Sequence, residues 1–307
     1  MTTEPPAGCG VAAGRPGIGV AFARAALAGN PSDGYGGAVL ALTLPARRAT
    51  ARAWRTDAPA VDPPSELVTA TVARFASEHA TTARDATAVS WETTIPRAVG
   101  LGGSSAIVVA VLRALASLWS VTLEPLAMAR LALSIEVDEL GIAAGLQDRI
   151  AQTHGPLTFM EFGREPPVAR VLDLARLPPV VVAWRSDSGG HSGDVHAPLR
   201  DRHDAGEPAV LLAMETLGRA GRAAAAAIEA GEHPPLRASV DASFDARRSI
   251  LTLDPRHIEM IECARAAGAA ANYAGSGGAI IAVCTDETHR ARVRVALARI
   301  SCETLIM

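Results

Sequence analysis

The sequence has little of what marks several large classes of protein. Only 4% of its residues are aromatic, and its four cysteines are widely spaced without a CxxC pair, so neither a disulfide framework nor a zinc site is indicated. The net charge of −3 comes with no basic cluster of the kind that binds nucleic acid. No apolar run reaches the ~18 residues of a membrane span, and the start lacks a signal-peptide layout. We therefore expect a cytoplasmic protein that binds neither nucleic acid nor membrane.

What the chain does contain is enough apolar sequence for a packed core. Hydrophobic residues make up 49% of the 307 residues and charged residues 20%. Helical and strand patterns are mixed without regular βαβ alternation, which favours an α+β fold. The patterns predict helices over 63–78, 104–119, 125–139, 147–153, 207–230, 237–251 and 255–267. They predict strands over 17–27, 37–44, 86–94, 157–161, 180–184 and 277–284.

The length suits about two domains, at roughly 150 residues each. We predict a loose tail over residues 1–16, an N-terminal domain over 17–165 and a C-terminal domain over 166–307. The boundary is placed at the turn-forming segment 163–167, which contains two consecutive prolines.

A segment rich in glycine and serine precedes the apolar helix predicted from Ser104. Glycine lets the backbone approach an anion closely, and the free N–H groups of a helix start carry roughly half a positive charge. Serine hydroxyls at this point can serve phosphate oxygens or a magnesium ion. No Gly-Lys-Ser/Thr follows, so the segment is not a Walker loop. These residues alone leave open a phosphate site or an ordinary serine-capped turn. The segment reads Gly100-Leu101-Gly102-Gly103-Ser104-Ser105-Ala106.

Three motifs, in order along the chain, resemble the signatures of the GHMP kinases, the superfamily of galactokinase, homoserine kinase, mevalonate kinase and phosphomevalonate kinase. The loop just described resembles the second signature, from which Gly103 is a departure. Residues 24–33 resemble the N-terminal substrate motif. Gly275-Ser276-Gly277-Gly278-Ala279 resembles the C-terminal glycine motif that backs the phosphate site. The resemblance implies a domain like the second domain of ribosomal protein S5, followed by a ferredoxin-like domain.

A narrower resemblance is to the plant-type glucuronokinases. Residues 139–152 are very similar to the corresponding stretch of that family, as are residues 30–33, 191–196 and 244–249. The resemblance covers about residues 20–285. It implies that the chain uses ATP and Mg²⁺ to phosphorylate the anomeric hydroxyl of D-glucuronate, giving D-glucuronate 1-phosphate and ADP.

The same resemblance implies roles for individual residues in phosphoryl transfer. Asp148 matches the aspartate that many members use as base. Glu136 matches the family's magnesium ligand and is paired here with Ser105, while Asp138 and Glu139 are nearby rivals. Arg24 sits where relatives carry Arg or Lys near the nucleophile, and it would stabilise charge on the transferring phosphoryl group.

Sugar recognition is assigned to the substrate turn and to a set of basic residues. Asn30, Asp33 and Tyr35 are candidates for contacts with the sugar. A uronate carboxylate calls for a cation or a fork of donors, which arginine supplies best. The sequence does not choose among the basic candidates, and the segment 191–196 is expected to be a loop that covers the substrate. These candidates are Arg149, Arg185, His191 and Arg247.

Three other functions stay open at this point. The same enzyme class could act on galacturonate, on a different sugar or on a mevalonate-like acid, because few residues decide between hydroxyl orientations. A regulator that binds nucleotide or sugar without catalysis could share the fold. A decarboxylase of the mevalonate branch is disfavoured, since the substrate motif resembles the sugar-acid branch.

Overall fold

The structure is a computed structural model that describes residue 6 and residues 14–79, 86–185 and 193–307. Two compact units divide the chain. Unit 1 contains the described part of residues 1–23 together with 45–95 and 102–153. Unit 2 contains residues 24–44, 96–101 and 154–307. The domain boundary predicted between residues 165 and 166 stays a prediction.

In its described residues, unit 1 combines sheet strands with four α-helices. β4 pairs antiparallel with the second half of β2 and parallel with β3, and β1 also pairs with β2. β1 and β2 both run on into unit 2. The strands are β1 (Gly17–Ala28), β2 (Ala38–Thr56), β3 (Ala60–Asp62) and β4 (Ala86–Thr93). The helices are α1 (Glu66–Glu78), α2 (Gly103–Trp119), α3 (Pro125–Ser134) and α4 (Gln147–His154).

Unit 2 contains the rest of that sheet and a second sheet. The first half of β2 pairs antiparallel with β5, which pairs antiparallel with β6. The second sheet has the order β10-β7-β9-β8, with every pair antiparallel. The strands are β5 (Leu157–Glu161), β6 (Val168–Val171), β7 (Val180–Trp184), β8 (Ala270–Tyr273), β9 (Ala279–Val283) and β10 (Glu303–Ile306). The helices are α5 (Gly193–Asp204), α6 (Pro208–Ala230), α7 (His233–Ile250), α8 (Pro255–Ala266) and α9 (Glu287–Arg299).

The order of elements around the second sheet is strand, helices, two strands, helix, strand, which is the ferredoxin-like arrangement. Its core is apolar side chains from β7, β8, β9 and the helices packed on them, such as Val181, Phe244, Ile261, Ile280 and Leu297. The α+β fold predicted from the sequence is confirmed. No helix in the described part of the chain is both long and apolar enough to span a membrane.

Several predicted elements need correction. The helix predicted over 125–139 changes character at Ile135, because Ile135–Glu139 forms a π-helical turn. The strand predicted over 37–44 continues to Thr56. The loop predicted over 191–196 is wrong from residue 193 onward, where α5 begins. His191 lies outside the described residues.

Candidate active site

The π-helical turn of unit 1 places Glu136 in the protein interior. Such turns are rare and are found frequently at functional sites. Glu136 is 0% exposed, and its Oε2 accepts hydrogen bonds from Nε of Arg149, at 2.9 Å, and from Nη2 of the same residue. Arg149 is 3% exposed and donates through Nη1 to the carbonyl oxygen of Gly145 at 2.8 Å. All three guanidinium nitrogens of Arg149 are thus engaged within unit 1.

Asp148 lies in the first turn of α4, next to the buried pair. Its side chain is 17% exposed, and its Oδ2 is 4.0 Å from Nη1 of Arg149. A carboxylate in the first turn of a helix is stabilised by the free N–H groups there. Asp148 therefore combines the partial exposure that a proton acceptor needs with a fixed position beside a cation.

α2 begins directly after Gly102 of the glycine-rich loop. The carbonyl oxygen of Gly102 holds the first turn of α2 in place. Gly102 adopts the left-handed conformation, with φ of 70°. Its carbonyl oxygen accepts hydrogen bonds from Oγ of Ser105 (3.1 Å), from the backbone N–H of Ala106 (3.1 Å) and from Nε2 of Gln152 (2.8 Å). Gln152 lies one turn after Asp148 on α4. A hydrogen bond therefore joins the helix that carries Asp148 to the loop residue that immediately precedes α2.

One oxygen atom in unit 1 is suited to bind a magnesium ion. Oε1 of Glu136 is buried and accepts no hydrogen bond from the residues that the structure describes. A hard cation would satisfy this oxygen, and the hydroxyl of buried Ser105 is an oxygen donor of the same kind. Among the described residues no group of three or more His, Cys, Asp or Glu could hold a metal by itself. Magnesium typically takes one or two carboxylates and completes its shell with phosphate and water.

In unit 2 the two glycine motifs pack backbone against backbone. Gly100 has φ of +74°, and a Cβ at this position would lie 2.4 Å from the carbonyl oxygen of Gly277. A Cβ at Gly275 would lie 2.2 Å from the carbonyl oxygen of Gly100. Any side chain at either residue would force the two segments apart. Glycine is therefore required by the close approach of segments that lie far apart in sequence.

Arg24 ties these two segments together. It is 4% exposed, and its Nη1 donates to the carbonyl oxygens of Gly100 (2.7 Å) and Ala274 (2.9 Å). Its backbone N–H donates to the carbonyl oxygen of Leu101 at 3.0 Å. A guanidinium cation thus lies directly behind both glycine motifs.

Arg247 on α7 forms a second buried cationic cluster in unit 2. It is 3% exposed and donates through Nη1 to the carbonyl oxygen of Gly275 at 2.6 Å and through Nη2 to Oδ1 of Asn30. Its guanidinium lies 5.3 Å from the ring centre of Tyr273. Burial is the main reason that the pKa of Arg247 is lowered to about 10; the charge of Arg24 acts in the same direction, and that of Asp33 opposes it.

The substrate turn continues as a short 3₁₀-helix, Ser32–Tyr35. The guanidinium of Arg200 lies 4.2 Å from the ring centre of Tyr35 and donates through Nη2 to the carbonyl oxygen of Gly34 at 2.6 Å. His203 contacts the same tyrosine ring at 4.5 Å. Burial raises the pKa of Tyr35. The end of α5 therefore rests on the turn that carries Asp33.

Two family models match the chain. "GHMP kinases N terminal domain" matches residues 66–156, and "GHMP kinases C terminal" matches residues 214–303; together they cover more than half of the chain. The chain belongs to the GHMP kinase family. In this GHMP kinase the first match contains the glycine-rich loop, Glu136 and Asp148, and the second contains Arg247 and Gly275.

Curated relatives and solved structures agree with this assignment. The GHMP kinase is 35% identical to Glucuronokinase 1 of Arabidopsis thaliana over 64% of its own length and 57% of the relative's. It therefore spans a little over half the length of that relative. A 68-residue stretch is 46% identical to D-glycero-alpha-D-manno-heptose 7-phosphate kinase of Campylobacter jejuni, covering 22% of this chain and 20% of the relative. The phosphomevalonate kinase of Streptococcus pneumoniae has the same fold, with a TM-score of 0.78 at 16% identity, over 94% of this chain and 98% of that one.

Four predicted site residues of the GHMP kinase are either held in ion pairs or buried. Arg149 is paired with Glu136, and Arg185 forms an exposed ion pair with Glu259 at 3.0 Å. Arg24 and Arg247 are buried in unit 2. Their roles in binding stay predictions.

Sequence reasoning missed three residues that the structure places in these clusters. Gln152 holds Gly102, Tyr273 packs beside Arg247, and Arg200 packs on Tyr35. None of the three has a spacing or motif that marks it, because each acts on a residue distant in sequence. Only the folded arrangement shows them.

Proposed function

We propose that the chain is a sugar-acid kinase that transfers the γ-phosphoryl group of ATP to the anomeric hydroxyl of D-glucuronate. The products would be D-glucuronate 1-phosphate and ADP. The observation that supports this best is the 35% identity to Glucuronokinase 1 over 209 residues. The short stretch similar to a heptose 7-phosphate kinase supports a sugar substrate in general.

In the proposed reaction Asp148 is the base. The anomeric oxygen of the sugar attacks the γ-phosphorus, the bond from that phosphorus to the β,γ-bridging oxygen breaks, and ADP leaves with the electron pair. The hydroxyl proton passes to the carboxylate of Asp148. Because phosphoryl transfer requires little covalent chemistry from the protein, orientation of the hydroxyl is the main contribution of this residue.

The metal and the nucleotide are assigned to separate features. Glu136 and Ser105 would hold Mg²⁺, which when bound neutralises charge on the phosphate oxygens. The N–H groups at the start of α2, from Gly103 to Ser105, would donate to the phosphates of ATP. The Gly275–Gly277 segment would support the loop from behind, as its packing on Gly100 allows. Arg24 would supply positive charge toward the transferred group.

A coupled assay for ADP release tests the substrate assignment. Purified protein with ATP and Mg²⁺ is offered D-glucuronate, D-galacturonate, D-glucose and a heptose 7-phosphate in parallel. We expect the highest kcat/KM with D-glucuronate. ADP release with the heptose phosphate and with no uronate would overturn the sugar-acid assignment and favour a sugar-phosphate kinase.

A further inference from the structure

The contact between Arg247 and Asn30 fixes which end of the Asn30 amide faces outward. Arginine carries only donors, so the atom of Asn30 that meets Nη2 of Arg247 must be the carbonyl oxygen Oδ1. The amide group Nδ2 therefore points away from Arg247. This orientation follows from hydrogen-bond chemistry alone, independently of how the two ends of the amide are placed.

The backbone around Asn30 is held equally firmly within unit 2. The N–H of Gly29 donates to Oγ of Ser243 at 3.1 Å, and Ser243 lies one turn before Arg247 on α7. Nδ2 of Asn272 donates to the carbonyl oxygen of Leu27 at 3.2 Å. Asn30 is 4% exposed, so its side chain has little room to rotate. One face of α7 thus sets both the backbone and the side chain of this turn.

Nδ2 of Asn30 donates no hydrogen bond to the part of the chain that the structure describes. Nδ2 is not among the fully buried atoms of the described residues that lack a partner, so solvent or a ligand can reach it. An oxygen of a bound molecule can therefore accept a hydrogen bond from this donor.

The charge around Asn30 favours an anionic acceptor. Arg247 touches only neutral oxygens among the described residues, the carbonyl of Gly275 and the amide of Asn30. A Cβ at Gly275 would lie 2.7 Å from Nη1 of Arg24, and the carbonyl oxygen of Gly275 accepts from Arg247. The guanidinium groups of Arg24 and Arg247 are therefore close to each other. Asp33 is the carboxylate that opposes them. Arg247 and Arg24 thus place two cations in this part of unit 2, with the carboxylate of Asp33 acting on Arg247 in the opposite sense.

We propose that Asn30 reads the carboxylate of the sugar acid through its Nδ2 donor, and that Arg247 is the positioning residue that orients the amide. Arg247 then contributes charge and orientation from behind, without touching the substrate. The proposal rests on the sugar-acid kinase function proposed above.

The test is Asn30→Asp, which keeps the shape of the side chain. One oxygen of the new carboxylate accepts from Arg247, and the other places negative charge where the donor was. We expect KM for D-glucuronate to rise by about 10- to 100-fold, the usual scale for one hydrogen bond to a charged group, with kcat and KM for ATP within about twofold. A wild-type KM for D-glucuronate in this variant would overturn the proposal.

A double-variant cycle tests the positioning role. Arg247→Lys keeps the charge but cannot hold both Gly275 and Asn30 with a planar fork. If Arg247 acts through Asn30, the rise in KM caused by R247K should disappear in the N30D background. Additive effects of the two substitutions would show that Arg247 reads the substrate by itself, and would contradict the assignment.

A binding measurement separates this inference from the proposed function. In ¹⁵N-labelled wild type, the side-chain amide signals of Asn30, assigned by their loss in N30D, should shift on titration with D-glucuronate and stay in place with D-glucose. Absence of ADP release by wild type with any uronate would remove the proposed function itself. Wild-type ADP release without movement of the Asn30 amide signals would remove only this inference.

Discussion

Arg149 in unit 1 and Arg247 in unit 2 are both 3% exposed, yet their charges are balanced in different ways. Arg149 meets a buried carboxylate, since Oε2 of Glu136 accepts from two of its nitrogens. Arg247 meets only a carbonyl oxygen and an amide oxygen in the described structure. Arg149 is therefore neutralised by a carboxylate that it touches, whereas Arg247 touches no carboxylate among the described residues.

The difference distinguishes an internal ion pair from a buried cation that touches only neutral oxygens of the described residues. Asp33 acts on Arg247 from a distance, but no carboxylate of the described residues touches Arg247. A buried cation in such surroundings lowers the stability of the free protein unless an anion approaches it. The sugar acid of the proposed function would be such an anion. Asp148 lies beside the neutralised pair, and its side chain is 17% exposed.

The largest effect is expected at Asp148. Asp148→Asn removes the proton acceptor but keeps the shape, so kcat should fall by about 10²–10⁴-fold with the melting temperature little changed. Steady-state kinetics measures the loss. The control is Asp138→Asn, which changes an exposed acidic residue of the π-helical turn and should leave kcat near wild type. Unchanged kcat in D148N, with ATP still bound, would indicate that Asp148 is not the base.

The two arginines can be compared directly by one substitution in each. Arg149→Met leaves the charge of Glu136 buried without a partner, and should lower the free energy of unfolding by about 3–5 kcal/mol. Arg247→Met leaves two neutral oxygens without a donor and removes a buried charge. The free energy of unfolding should therefore fall by only about 1–2 kcal/mol. Urea denaturation measures both. A larger loss for R247M than for R149M would contradict the distinction between the two cations.

The smallest effect concerns the glycine motifs of unit 2. Gly100→Ala places a Cβ against the carbonyl oxygen of Gly277 in a left-handed conformation, so it should both destabilise the protein and raise KM for ATP. Gly141→Ala is the matched control, because Gly141 has φ of +65° and nothing within 4 Å of its Cβ position. The control should cost about 1–2 kcal/mol, the usual penalty of the left-handed region, without a change in KM. Equal effects would show that the packing of the two motifs is unimportant.

The sequence predicted best those features that are local. α2 and α6 have long apolar periodicity, and β7 is a short buried run of apolar residues. The second half of β2 was missed because its buried positions begin with Ala49, Ala51 and Ala53, a period of two that alanine marks weakly. α9 buries only His289, Val293 and Leu297, which is too sparse a stripe for a helix to be predicted.

The residues of the candidate site also differ in whether a local sequence pattern predicts them. The glycine motifs and Asp148 stand in continuous signatures that a reader of the sequence can find. The Arg247–Asn30 and Arg24–Ala274 contacts join residues more than 200 positions apart, and no local pattern encodes such pairs. The pairing of Arg149 with Glu136 is hidden for another reason, since it depends on the π-helical turn that changes the face on which Glu136 lies.

The central claim is that the chain phosphorylates the anomeric oxygen of a sugar acid, and ³¹P NMR of the reaction mixture tests it most directly. D-[1-¹³C]glucuronate, ATP and Mg²⁺ are incubated with the protein. We expect a phosphate ester signal coupled to the labelled carbon, formed in step with ADP. A phosphate ester without that coupling, or no phosphorylated uronate at all, would contradict it.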